Sequence, residues 1–180
     1  MIMADILKIF LLTLGILIVY VSYWLLSEAL FPKFVERASR FYLKPVKISL
    51  LGLVVAIVPM LMGAQMANLP NPLLKIIGIT LLVLPGLLGL VGSAGLTLRI
   101  GLGLPSPLDA EQPWRRVLRG GVLLAFSFLL PVIGWVVIPV WVLASGLGAF
   151  ILSLREQSHE RRMQAPPAPA EFAPVHEAMG

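Results

Sequence analysis

Four stretches of this chain, 9–30, 48–64, 76–98 and 120–154, run almost without a charged residue, and the polar positions are crowded into the segments between them. A helix needs about 20 apolar residues to cross a hydrocarbon core about 30 Å thick, at about 1.5 Å per residue. The first and third runs meet that length directly. The second meets it once Lys47 and Gln65 reach the interface with their flexible polar ends. The fourth, continuous, would make a helix of roughly 52 Å and must be broken. Pro131, Gly134 and Pro139 sit near its middle, and a proline both lacks an amide donor and crowds the preceding turn. A turn near Gly134–Trp135 therefore splits this run into two limbs. The spans expected are about 9–31, 47–66, 74–98, 118–134 and 136–154. The fold class follows as all-α: a polytopic membrane helix bundle of three full transmembrane helices plus a C-terminal, Pro/Gly-broken hairpin, transmembrane or re-entrant.

Composition agrees with lipid as the solvent. Hydrophobic residues make up 58% of the 180 and charged residues 13%, with a mean hydropathy of +0.94, more apolar surface than a soluble domain of this size can bury. No basic n-region precedes the first run and no small-residue cleavage site follows it, so it reads as a retained helix. The absence of cysteine removes disulfides and thiolate metal sites. Residues 155–180 form the expected tail, Pro/Ala-rich from Gln164 onward and disordered, because such a composition has too little apolar bulk to pack.

Charge sets the orientation, since cytoplasmic connections of bacterial membrane proteins accumulate Lys and Arg. The first connection carries Lys33, Arg37, Arg40, Lys44 and Lys47, and the third carries Arg99, Arg115, Arg116 and Arg119. The second, through Asn68-Leu69-Pro70-Asn71-Pro72, carries none. A hairpin in the fourth run returns Arg155, Arg161 and Arg162 to the basic side, leaving only Lys8 and Lys75 opposite. The expected topology has the N-terminus outside and the C-terminus in the cytoplasm of a bacterial inner membrane. The basic residues hug the ends of apolar runs, which points to topology and anionic lipid headgroups and away from nucleic acid. Within the third connection, Asp109 is placed to cap a short helix reaching Gln112, with Trp114 at the interface.

Small residues mark helix packing. Gly86, Gly89, Gly92 and Gly95 recur every three residues, and Ala144 and Gly148, with Ser145 and Gly146 between them, form a second smooth face. Close backbone approach is how helices associate in lipid, so these two faces are expected to pack on each other, with homo-oligomerisation the alternative. The chemistry is sparse. Glu28 is the one carboxylate near a span; as an interfacial acid it is expected to pair with Lys33 or Arg37, and otherwise it is the weak candidate for proton or cation transport. Tyr20, Tyr23 and Trp24 near the same span end read as interfacial belt residues. His159 and His176 lack companions at ligand spacing, and no nucleophile–base pair occurs in the spans, so neither a metal, a cofactor nor catalysis is expected.

The order Phe31-Pro32-Lys33-Phe34-Val35-Glu36-Arg37, Ser49-Leu50-Leu51-Gly52-Leu53, Arg116-Val117-Leu118-Arg119-Gly120-Gly121, Leu130-Pro131-Val132-Ile133-Gly134-Trp135 and Gly146-Leu147-Gly148-Ala149 resembles the small multi-pass inner-membrane proteins that accompany or are fused to bactofilin-type polymer-forming proteins. The resemblance covers about 31–154. The glycine-punctuated strand repeats of the polymerising part of the fused forms are absent from this chain. It implies a membrane anchor or partner of a cytoskeletal polymer and brings no catalytic residue with it. A non-enzymatic structural or interaction protein is the leading expectation, and a small oligomeric transporter or channel the alternative.

Overall fold

The computed structural model describes residues 2–109, 112–131 and 133–164. The tail beyond Gln164, including His176, lies outside the described residues. The described residues form six α-helices: α1 Ile2–Leu30, α2 Pro32–Phe41, α3 Pro45–Ala67, α4 Pro72–Leu102, α5 Trp114–Ser127 and α6 Ile138–Gln164. A 3-10 turn, Pro107–Asp109, lies between α4 and α5, and a π-helical segment, Ile133–Val137, leads into α6. Among the described residues four helices are long and apolar enough to cross a membrane: Met3–Leu30, Pro45–Ala67, Pro72–Leu102 and Ile133–Glu160. The protein is an integral membrane helix bundle.

Prolines and one asparagine set the helix starts. Pro32, Pro45 and Pro72 each stand at the first helical position, where the missing amide would have had no partner. At α4 the Asn71 side chain accepts a hydrogen bond from the Leu73 amide at 3.0 Å, satisfying one of the free donors of the first turn.

Helix α4 is the centre of the bundle and touches all five other helices. Its glycine face winds. Successive glycines three residues apart rotate by about 60° around a helix of 3.6 residues per turn, so four of them cover about half the circumference. Gly89 and Gly92 accordingly lie against α6, where a methyl group on Gly92 would strike the Gly146 carbonyl and one on Gly89 the Leu143 carbonyl. Gly95, further round, lies against Ala38 and Ser39 of α2. Gly86 points elsewhere, with nothing within 4 Å of where a β-carbon would stand. The partner of the Ala144–Gly148 face also differs from expectation. Gly146 alone turns toward α4, whereas Ala144 and Gly148 face α3, packed on Gly52 and Ile48. One α6 segment thus presents two smooth faces, one to each neighbour.

The final apolar run is a hairpin whose limbs flank α4 rather than pack on one another: α5 lies on α4 and α1, and α6 on α4, α3 and α2. Contacts of Gly101 with Arg116 and of Gly120 with Thr97 make α5 antiparallel to α4, and α6 returns parallel to it. The turn is earlier than expected, ending α5 at Ser127, while Gly134 and Trp135 already belong to the π-helical start of the second limb. Pro139 explains the wide helical turn there. It has no amide to give to residue 135, and the π geometry relieves its clash with the preceding carbonyl. In place of a full crossing over 118–134, the first limb has 14 residues, about 21 Å, too short to span. Phe128 stacks edge-on against Tyr20 of α1 at 5.4 Å, ten residues or about 15 Å from the α1 end at Leu30, so the turn lies about halfway through the apolar layer. Its amides are satisfied locally: Leu129 on Phe126, Leu130 on Ser127, Ile133 on Pro131 and Gly134 on Leu130, as a turn at that depth requires.

Helix α6 also runs ten residues past Leu154, where the tail was expected to begin. The added segment is rich in Arg, Glu and Gln, good helix formers, and Glu160 is held by an ion pair to Arg37.

Two tests follow from this arrangement. A reporter active only in the cytoplasm should give one result after Arg40, Pro107 and Arg162 and the opposite after Asn68; disagreement between Arg162 and Arg40 would sink the hairpin. Gly92→Leu should lower stability in detergent by about 1–3 kcal/mol, the usual cost of overpacking, while Gly86→Leu and Gly15→Leu, which meet open space, should be nearly neutral. Equal effects at all three would remove Gly92 from the α4–α6 interface.

Candidate interaction site at the basic end

The ends of α1, α4 and α6 and the starts of α3 and α5 gather at one side of the bundle, and α2 packs there on α4, α6 and the end of α1. The connection from α1 to α3, read from sequence only as a basic loop, is mostly this helix. Val35, Ala38 and Ser39 are buried on α4 and α6, while Lys33, Glu36 and Arg40 are exposed on the other side. The missed signal was helical spacing, with apolar Phe34, Val35, Ala38, Phe41 and Tyr42 recurring at three- and four-residue steps behind Pro32. Arg37 reaches from α2 to Glu160 of α6 at 2.8 Å. That pair ties the amphipathic helix to the end of the last span.

The loop between α4 and α5 is held by one aspartate. Asp109 is only 8% exposed, and its carboxylate accepts two hydrogen bonds from Arg119 Nη2, at 2.7 and 2.8 Å, and one from the Ser106 amide at 3.2 Å. Arg116 stands 3.5 Å away through Nε and donates to the Asp109 backbone carbonyl at 3.2 Å. Asp109 therefore staples the loop to the first turns of α5 instead of capping a helix to Gln112; Ala110 and Glu111 lie outside the described residues. Burial pushes its carboxyl up, but the Arg119 hydrogen bonds, the Ser106 amide and the two guanidinium charges outweigh that and hold its pKa below the ordinary aspartate value. Of the basic residues singled out by sequence, Lys33, Arg40, Lys44 and Lys47 are exposed, whereas Arg37, Arg115, Arg116 and Arg119 are partly buried. Arg115 lies over the exposed Trp114 ring at 5.7 Å.

Beneath this face is a small polar interior. Trp24, expected at the interface, is fully buried and donates from Nε1 to Ser93 Oγ at 2.9 Å; Ser93 in turn donates to the Leu90 carbonyl. Tyr42 donates to Ser145 Oγ at 3.5 Å, and burial raises its phenol pKa, the Ser145 contact offsetting part of the shift, so it stays neutral. Thr97 and Ser145 return their hydroxyls to their own helices. Glu28 pairs with neither Lys33 nor Arg37 among the described residues; Arg37 is taken by Glu160, and Glu28 Oε2 is enclosed without a hydrogen-bond partner.

No protein family, no curated protein and no solved structure shows a significant match to this chain.

Since the folded-state pKa of Asp109 lies below that of an unfolded aspartate, about 3.9, its stabilisation is fully present above that pH and is lost as the pH falls through the folded value. Asp109→Asn should lower the thermal midpoint in detergent at pH 7, and the gap to wild type should close below about pH 4. A gap independent of pH would show that shape, and not charge, holds the loop.

Proposed function

We propose that this chain is a non-enzymatic structural or interaction protein of a bacterial cytoplasmic membrane, its N-terminus outside and its C-terminus inside. Its basic face serves as the docking surface for a polymer-forming cytoskeletal partner of the bactofilin type. The observation that carries the reading is the construction of that face. Exposed Lys33 and Arg40 stand on α2, braced by Arg37–Glu160, Lys44 and Lys47 follow at the start of α3, and Asp109–Arg119 fixes the neighbouring loop, a cationic platform suited to an acidic partner surface. An anchor needs such a platform and needs no intramembrane chemistry.

A small oligomeric transporter is the second reading, favoured by one pairing of features: a broken hairpin that turns at mid-depth and a carboxylate, Glu28, without an ion partner among the described residues.

Photo-crosslinking from position 162 in cells should capture a polymer-forming protein, and joint replacement of Arg40, Lys44 and Lys47 by Glu should abolish the crosslink while abundance stays normal. An unchanged crosslink would refute the docking face. Glu28→Gln should leave function intact; loss of function at normal abundance with no partner captured would establish the transporter reading instead.

A further inference from the structure

A cleft of about 580 Å³ opens beside the junction of α1 and α2, well within the range of small-molecule sites, about 300–1,000 Å³. Its walls are Leu30 and Phe31 at the end of α1, Phe34 of α2, Val91 of α4, and Phe150 and Leu154 of α6. Phe34 and Phe150 meet across it with ring centroids 5.2 Å apart. Its rim is different in kind, for Lys33, Arg37 and Gln157 border the same space. Apolar walls and a cationic rim lie in one cleft at the end of α1.

We propose that this cleft is a binding site for a single anionic phospholipid of the surrounding leaflet, with an acyl chain along Phe31, Phe34, Val91 and Phe150 and the phosphate at Lys33 and Arg37. Charge complementarity selects the occupant. Lys33 is exposed and has no ion pair among the described residues. The Arg37 guanidinium gives Glu160 a contact from Nη2 and retains further donors of its five. Among the described residues Glu160 is the one carboxylate paired with a rim cation, so it weakens the attraction at Arg37 and leaves Lys33 as the dominant charge. A free phosphate would use the rim and leave the apolar walls empty; a zwitterionic lipid would use the walls and gain little from Lys33. Only an anionic amphiphile uses both. This site shares Lys33 and Arg37 with the docking face proposed above but does not rest on that reading, and the two fail separately, because the docking test replaces Arg40, Lys44 and Lys47, none of which lines the cleft.

Native mass spectrometry of the full chain, titrated separately with phosphatidylglycerol and with phosphatidylcholine of the same chain length, tests the site. The first phosphatidylglycerol should bind more tightly than phosphatidylcholine. Lys33→Gln should weaken phosphatidylglycerol about fivefold, the effect of one interfacial charge, with phosphatidylcholine unchanged. Val91→Phe, which fills the cleft, should weaken both lipids, and Lys47→Gln, at an exposed interfacial lysine outside the cleft, should weaken neither. Because Lys33 is exposed, its variant should keep the wild-type thermal midpoint, so the result stays readable if Val91→Phe misfolds. Equal binding of the two lipids, or equal effects of Lys33→Gln and Lys47→Gln, would overturn the proposal. Displacement of phosphatidylglycerol by equimolar inorganic phosphate would show a bare anion site and overturn it as well.

Discussion

The contacts of α4 with α2, α3, α5 and α6 depend on backbones that approach more closely than side chains allow. In lipid, apolar surface gains nothing by leaving its surroundings for another helix, so association must come from packing and from polar contacts inside the layer. Helix α4 meets that constraint with glycine after glycine: Gly89 and Gly92 against α6, Gly95 against α2, Gly101 against α5. Its neighbours answer in kind, Gly146 toward α4 and Gly120 toward Thr97. Because the stripe winds, one helix can hold several partners at once. A straight stripe at four-residue spacing would hold only one.

This geometry also explains the hairpin. Its two limbs flank α4, so the connection between them must be wider than a tight turn, and a non-helical turn at 128–131 and a π segment at Ile133–Val137 supply that width. The local amide bonds from Leu129 to Gly134 make such a turn tolerable at mid-depth. The Trp24–Ser93 hydrogen bond lies beside this turn, with the Trp24 ring 6.4 Å from that of Phe128. Intramembrane hydrogen bonds average about 0.6 kcal/mol, so its main effect is to fix the rotation of α1 on α4 rather than to hold the helices together.

The first three spans and the return of the chain to its basic side were legible because both follow from quantities a sequence displays directly, apolar length and the placement of charge. The packing partners were not. The equal spacing of Gly86 and Gly95 conceals that they lie on opposite sides of α4, and the partner of Ala144 and Gly148 is Gly52, a lone glycine with no pattern around it. Helix α2 was hidden by its own charges, which marked the segment as a connection. Asp109 was recognised as structural, but its partners Arg116 and Arg119 lie seven and ten residues away, across a stretch whose path the sequence does not specify.

The basic residues themselves divide into two kinds, and the division carries the functional argument. Arg37, Arg116 and Arg119 are spent on carboxylates of the same chain; they brace α2 and the α4–α5 loop, and their removal would disorder the face. Lys33, Arg40, Lys44 and Lys47 are exposed, and among them only Arg40 has an intrachain ion pair within the described residues, an exposed i,i+4 pair with Glu36 of the kind worth little in water. The guanidinium groups that brace are the ones suited to bidentate carboxylate contacts, and three of the four outward charges are lysines, hydrated point charges that favour loose attraction over fixed geometry. Positive-inside orientation alone would require the charges to lie on this side without sorting them this way. The sorting leaves the bracing to arginines and the outward charge mainly to lysines, and it is on this outward charge that the proposed lipid and partner contacts rest.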